Sequence, residues 1–173
     1  EAGAAYDYAV AAGDTVTPRR RFRMPDVEAD SVRFVVYGDS RADGAAHGRI
    51  ARLAAESRPD FAVHTGGVVE EGGGEESYSP RLFEPAADLV ASAPLFVAPG
   101  PAESGCNAFS RYFVLPGNER WYSFDIGPVH AAVLDAAAEL GPESEQMQWL
   151  ADDLAKAAKP WKMVFVHADA LPR

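Results

Sequence analysis

Cysteine is nearly absent from this sequence. Cys106 is the single one among 173 residues, so no disulfide can form within the chain and the redox compartment stays open. No apolar run approaches the roughly 20 residues needed to cross a bilayer. No leader-like segment is visible. Positive charge is in deficit: Lys plus Arg is 16 against 26 Asp plus Glu, a formal net charge of -10. A surface that acidic repels phosphate backbones and anionic lipid, so neither nucleic acid nor a membrane is an expected partner. Histidine is scarce, with 4 residues at His47, His64, His130 and His167. The glycines at 72–74 read as a flexible loop. No Lys-Ser/Thr follows them, which excludes a phosphate-binding P-loop.

Hydrophobic residues are plentiful, at 47%. That supports one good-sized domain with a real core, and the length is too short for two full ones. The first residue is Glu1 rather than Met, and Arg173 directly follows a strand-like run, so both ends read as cut. Residues 6–10 alternate in the manner of a strand, a turn follows at Gly13-Asp14, and an extended stretch runs to Arg23. This predicts a β-hairpin, which alone is marginal in water and so belongs to something larger. Pro25 to Asp30 is a polar connector.

From Ser31 the texture changes. Apolar β-branched and aromatic runs at 32–37, 60–65, 94–98, 121–125, 129–135 and 161–167 predict strands. Ile50, Leu53 and Ala54 at helical spacing predict a helix over 45–57. A helical stretch is expected around Leu82 to Val90. Met147, Leu150 and Leu154 share the face of another helix that opens at Glu143. Residues 101–119 read as loop. Strands alternating with helices imply an α/β fold with a mainly parallel sheet covered by helices. In such sheets the working residues stand just past the carboxyl ends of the strands, here Asp39, Gly67, Pro101 and His167.

Those strand ends read YGDSR (37–41), HTGGVVEEG (64–72), APGPAES (98–104) and FVHADA (165–170). Together with LPGNERWYSFDIGPVH (115–130) and EQMQWLADDLAKAAKPWKMVFVH (145–167), they resemble the calcineurin-like metallophosphoesterases, and most nearly the purple-acid-phosphatase branch. The resemblance covers about residues 31–173. It implies a metallophosphoesterase-like layered sheet and helices, incomplete at its C-terminal end. The hairpin at 1–25 would then be a remnant of the fibronectin-type-III-like β-sandwich that often precedes this domain. It also implies hydrolysis of small phosphate esters by two divalent or trivalent metal ions (Fe, Zn or Mn), which clamp the phosphate and generate a hydroxide nucleophile. Secretion or the periplasm is the expected setting of the parent protein.

The resemblance then specifies what should be present. Asp39 matches the Asp of the first motif, Gly-Asp-x-His, and Arg41 stands where many members have His. The second motif, Gly-Asp, supplies the bridging carboxylate, but here it reads Gly66-Gly67. The third, Gly-Asn-His-Asp/Glu, is Gly100-Pro101-Ala102-Glu103, without the Asn ligand or the catalytic His. His167 matches the fourth motif, and Ala168 follows it. The fifth, Gly-His-x-His, would lie beyond Arg173. Two ligand positions remain, Asp39 and His167, whereas tight binding of an ion takes about three or four protein ligands. The expectation is therefore no metal, or one ion weakly held, and no catalytic residue. Glu70 and Glu103 are nearby carboxylates that could substitute. Arg41 is the candidate contact to substrate, and also the nearest positive partner for Asp39. The other role open to Asp39 is capping the next helix.

Outside these motifs, His47 is expected to be solvated, and His64 to lie on a strand buried on both faces. His130 is expected to be a satisfied core histidine, and Trp121, Trp149 and Trp161 to be core or framework. Cys106 is read as an unreactive loop residue. A rival class is a GDS-type serine esterase with Ser40 in Gly38-Asp39-Ser40 as nucleophile and a late His as base. The Asp that should precede that His by three residues is Val164. A further alternative is a non-catalytic binding or structural domain.

Overall fold

The structure is a computed structural model that describes residues 1–70, 74–104 and 108–168. The expectations placed on Gly72, Gly73, Cys106 and the end of the fourth motif lie outside the described residues.

The leading segment is a long interrupted hairpin. β1 (Ala5–Tyr8) pairs antiparallel with β4 (Arg20–Arg23), and β2 (Ala11–Ala12) with β3 (Thr15–Val16) at its tip. Gly13 takes φ +58 at the turn, a conformation open to glycine at little cost. Stacking of Tyr6 on Phe22 stiffens the ribbon, and Tyr8 Oη donates to the Ala91 carbonyl at 3.1 Å, fastening it to the rest of the chain.

The remainder is built on two three-stranded sheets rather than the single sheet expected. In one, β5 (Phe34–Tyr37), β6 (Phe61–His64) and β7 (Leu95–Val97) run parallel in that order. In the other, β9 (Val129–Val133) lies between β10 (Trp161–Phe165), parallel to it, and β8 (Tyr122–Ile126), antiparallel. The period-2 pattern sorts their side chains. Phe61 and Val63 of β6 face the second sheet, where Phe124, Ile126 and Phe165 meet them. Phe61 meets Phe124 edge-on, with ring centroids 5.5 Å apart.

The outer faces carry the helices. α1 (Gly44–Glu56) lies over the first sheet with α2 (Ala87–Val90), burying Ala54 and Leu89 against Ala62. α5 (Glu145–Lys156) covers the second sheet through Leu150, Met147 and Leu154, packed against Ala132 and Leu134. Each long helix starts at a polar cap. The Asp43 carboxylate accepts from the Ala45 and Ala46 amides, and Ser144 Oγ accepts from the Met147 amide. The cap of α1 is thus Asp43 and not Asp39.

Two further expectations are corrected. Residues 101–119 contain α3 (Pro101–Ser104) and α4 (Phe109–Tyr112). Trp161, expected in the framework, is 63% exposed, because β10 is an edge strand and this residue is at its start.

Candidate functional site

The carboxyl ends of β5, β6, β7 and β10 converge on one edge, and backbone hydrogen bonds tie their loops together. The Asp39 amide donates to the Gly66 carbonyl at 2.9 Å, and the Arg41 amide to the Gly67 carbonyl at 3.0 Å. Tight loops here require unusual backbone: Gly66 and Gly67 take φ +84 and +68. Asp39 itself takes φ +56, which is strained for most side chains but tolerated best by Asp and Asn.

This edge brings Asp39, Arg41 and His167 to the same pair of glycines. The Arg41 guanidinium bonds the Asp39 carboxylate at 2.5 Å. A β-carbon at Gly67 would stand 2.5 Å from that guanidinium nitrogen and 2.5 Å from that carboxylate oxygen. His167 packs on the other side: a β-carbon at Gly66 would stand 2.6 Å from its ring, and one at Gly100 would collide with it as well. The His167 Nδ1–H donates to the Thr65 carbonyl at 2.7 Å. That bond fixes the tautomer, leaving Nε2 as the acceptor, an orientation that suits a ligand or a hydrogen-bond donor.

Neither substitute carboxylate is free. Glu103 is fully buried, and its carboxylate accepts from the amides of Val68 at 2.7 Å, Val69 at 3.2 Å and Gly100 at 2.9 Å. Glu70 stands 3.9 Å from Arg81. Among the described residues, no group of three or more His, Cys, Asp or Glu side chains is close enough to hold an ion. The donor set at this edge therefore does not fit a dinuclear centre. Among the described residues, the edge offers one ion-paired carboxylate, Asp39, and one imidazole, His167, with glycine at 66 and 67.

Behind the edge lies a second polar cluster that sequence reasoning only half located. Ser40 Oγ and His64 Nε2 share a hydrogen bond of 2.9 Å, and His64 is completely buried. Burial and the neighbouring His47 and His167 push its pKa down to about 3, so its ring is neutral. Its Nδ1 has no hydrogen-bond partner among the described residues. His47, expected to be solvated, is only 2% exposed. Its Nδ1–H donates to the Arg81 carbonyl at 2.8 Å, and the Tyr37 hydroxyl lies 3.3 Å from its Nε2. Burial lowers the His47 pKa too, against that hydrogen bond. No motif marks this, because the partners come from β5 and from the π-helical segment Ser79–Phe83.

His130 is the satisfied histidine that its strand position suggested. Asp125 Oδ1 and Asp153 Oδ2 take its two ring nitrogens at 2.7 and 2.8 Å. Burial opposes its charge, but the bonds to both carboxylates outweigh that and raise its pKa. It joins β8, β9 and α5 and lies outside the loop cluster at the strand-end edge.

Comparison with known proteins agrees with the motifs. No protein-family profile matches the chain. It is 43% identical over 106 residues to purple acid phosphatase 22 of Arabidopsis thaliana, a match covering 51% of this chain and 24% of that protein. Purple acid phosphatase 23 of the same plant is 32% identical over 114 residues, covering 53% of this chain and 24% of that protein. In fold, the chain superposes on the purple acid phosphatase isolated from yellow lupin (Lupinus luteus) seeds with a TM-score of 0.65, at 16% identity. That match covers 86% of this chain and 33% of the lupin chain. The chain thus spans about a quarter of the length of these curated relatives. Over the matched part it is a relative of the purple acid phosphatases, with the calcineurin-like metallophosphoesterase fold.

Proposed function

We propose that this relative of the purple acid phosphatases carries the phosphoesterase scaffold without phosphoesterase turnover, as a non-catalytic binding or structural domain. The observation that carries this reading is the Gly66-Gly67 turn, where a bridging carboxylate is required. The adjacent volume is taken by the Asp39–Arg41 pair. Two-metal hydrolysis draws its nucleophile from metal-bound water whose pKa the ions lower. Without a bridge, any ion held by Asp39 and His167 is single and loose. General-acid help of the kind a third-motif His would give, typically worth about 10²–10⁴-fold in rate, has no group to supply it at Ala102. What the edge can still offer a small phosphate ester is the Arg41 guanidinium and the His167 ring. The domain division is part of the same proposal, with 1–25 a sandwich remnant and 31–173 a phosphoesterase-like domain.

The test is an aryl phosphate assay with Mn, Zn, Fe or Mg added. No turnover above background is expected. Turnover that a chelator removes would refute the reading.

The serine-esterase reading now has a specific observation on its side, the Ser40–His64 pair, but its chemistry is poor. A base with a pKa near 3 takes up a proton weakly at neutral pH. No carboxylate orients its Nδ1 among the described residues, and Ser40 is only 9% exposed. A serine-directed phosphonate should leave the chain unlabelled.

A further inference from the structure

The missing bridging carboxylate leaves space that another side chain of this chain fills. The guanidinium nitrogen and carboxylate oxygen that bond each other are the same two atoms that a side chain at Gly67 would strike. Their position is set by backbone, since Asp39 and Arg41 are each tied by an amide to Gly66 and Gly67. The charge is set as well. Arg41 presents a permanent cation to the one acidic ligand position that survives.

We propose that Arg41 is an internal replacement for the metal charge at this edge, so that metal is opposed by a cation that is present as well as by ligands that are absent. The inference rests on the non-hydrolytic reading above and specifies what enforces it. Restoring ligands at Gly67, Pro101 and Ala102 is then insufficient. An aspartate at 67 would meet the guanidinium and gain an ion pair instead of a bridging role, and it would carry the strain of φ +68. Removing Arg41 alone, in contrast, releases the Asp39 carboxylate from its ion pair.

The expected effects are modest for single changes. The pair is partly exposed, with side-chain accessibilities of 70% for Asp39 and 40% for Arg41. An ion pair in that setting changes an equilibrium by about fivefold or less.

The experiment measures Zn²⁺ binding by equilibrium dialysis and the Zn²⁺-dependent shift in melting temperature. The variants are the parent chain, Arg41→Ala, Arg41→Lys, Gly67→Asp, the double change Gly67→Asp with Arg41→His, and Arg41→Ala with Asp39→Asn. The parent chain, Arg41→Lys and Gly67→Asp should show no Zn²⁺-dependent shift. Arg41→Ala should bind Zn²⁺ up to about fivefold more tightly than the parent, and Asp39→Asn should erase that gain. The Gly67→Asp and Arg41→His double change should bind at least about tenfold more tightly than Gly67→Asp alone.

Equal Zn²⁺ binding by Arg41→Ala and the parent would overturn the inference. So would Gly67→Asp binding as tightly as the double variant. If the double variant fails to fold, the contrast between Arg41→Ala and Arg41→Lys decides, because lysine keeps the charge. Metal-dependent turnover by the parent chain would refute the functional reading itself. An inactive parent whose Arg41→Ala variant gains no Zn²⁺ would refute this inference alone.

Discussion

Removing the Glu103 carboxylate should unfasten the strand-end loops. Glu103 is completely buried in α3 and accepts three amide hydrogen bonds, from Val68, Val69 and Gly100. It thereby joins the loop after β6 to the loop after β7. In Glu103→Ala all three amides lose their partner. At about 1–2 kcal/mol for each buried unpaired donor, the loss is about 3–6 kcal/mol. In a chain of this size that lowers the melting temperature by about 6–24 °C. Glu103→Gln is milder and more telling. Its amide oxygen can still serve Val68 and Val69, but its NH₂ then faces the Gly100 amide, donor against donor. A loss of about 1–3 kcal/mol is expected. Urea unfolding of the parent and both variants measures this, with the slope checked for constancy. If Glu103→Ala is within about 0.5 kcal/mol of the parent, Glu103 does not hold these loops, and the account of the edge fails with it.

Tyr122→Phe should cost about 1–3 kcal/mol. The hydroxyl both donates to the Val97 carbonyl at 2.9 Å and accepts from the Val97 amide at 3.1 Å, in a buried setting; thermal unfolding reads this. Acid should destabilise the chain early. His47 and His64 are held neutral by burial, so their folded pKa values lie below the unfolded value near 6.5, and stability falls as pH drops beneath it. His64, titrating near 3 when folded, should alone cost about 2 kcal/mol at pH 5. A flat stability profile between pH 7 and 5 would contradict that. His130 has the opposite sign, because its folded pKa is raised. Its contribution is fully present below about 6.5 and fades as pH rises through the raised value. His130→Gln should remove this alkaline slope, which a pH series of melts would show.

Much of the fold was legible because its signals are local. Runs such as Phe34–Tyr37 and Phe61–His64 are apolar and β-branched or aromatic, and each ends at a glycine-containing turn, so strand and switch edge could be read together. α5 showed its apolar face through Met147, Leu150 and Leu154. The division into two sheets was not legible, because it depends on which strands pair, and aromatic residues such as Phe96 and Phe124 suit either arrangement. α3 and α4 were missed for a related reason. Pro101, Pro116 and Gly117 favour a loop, whereas the short helices are held by tertiary contacts: the buried Glu103, and Phe113 against the rings of Tyr78 and Phe83. His47, flanked by small residues, shows no periodic sign of burial, since its partners are a carbonyl at Arg81 and a hydroxyl at Tyr37. At the site, the sequence alone marked Asp39, Arg41 and His167 and noted that Asp39 needs a cation. That the guanidinium fills the space over Gly67 is a matter of backbone geometry, which no motif encodes.

The most direct test is metal stoichiometry. The purified chain is incubated with excess Zn²⁺ or Mn²⁺, passed through a desalting column and measured by elemental analysis. The account predicts well under one ion retained per chain, and an identical melting temperature with and without chelator. Two ions retained per chain, with a melting temperature that chelator lowers, would show that an intact dinuclear centre forms without the bridging carboxylate, and would contradict the account.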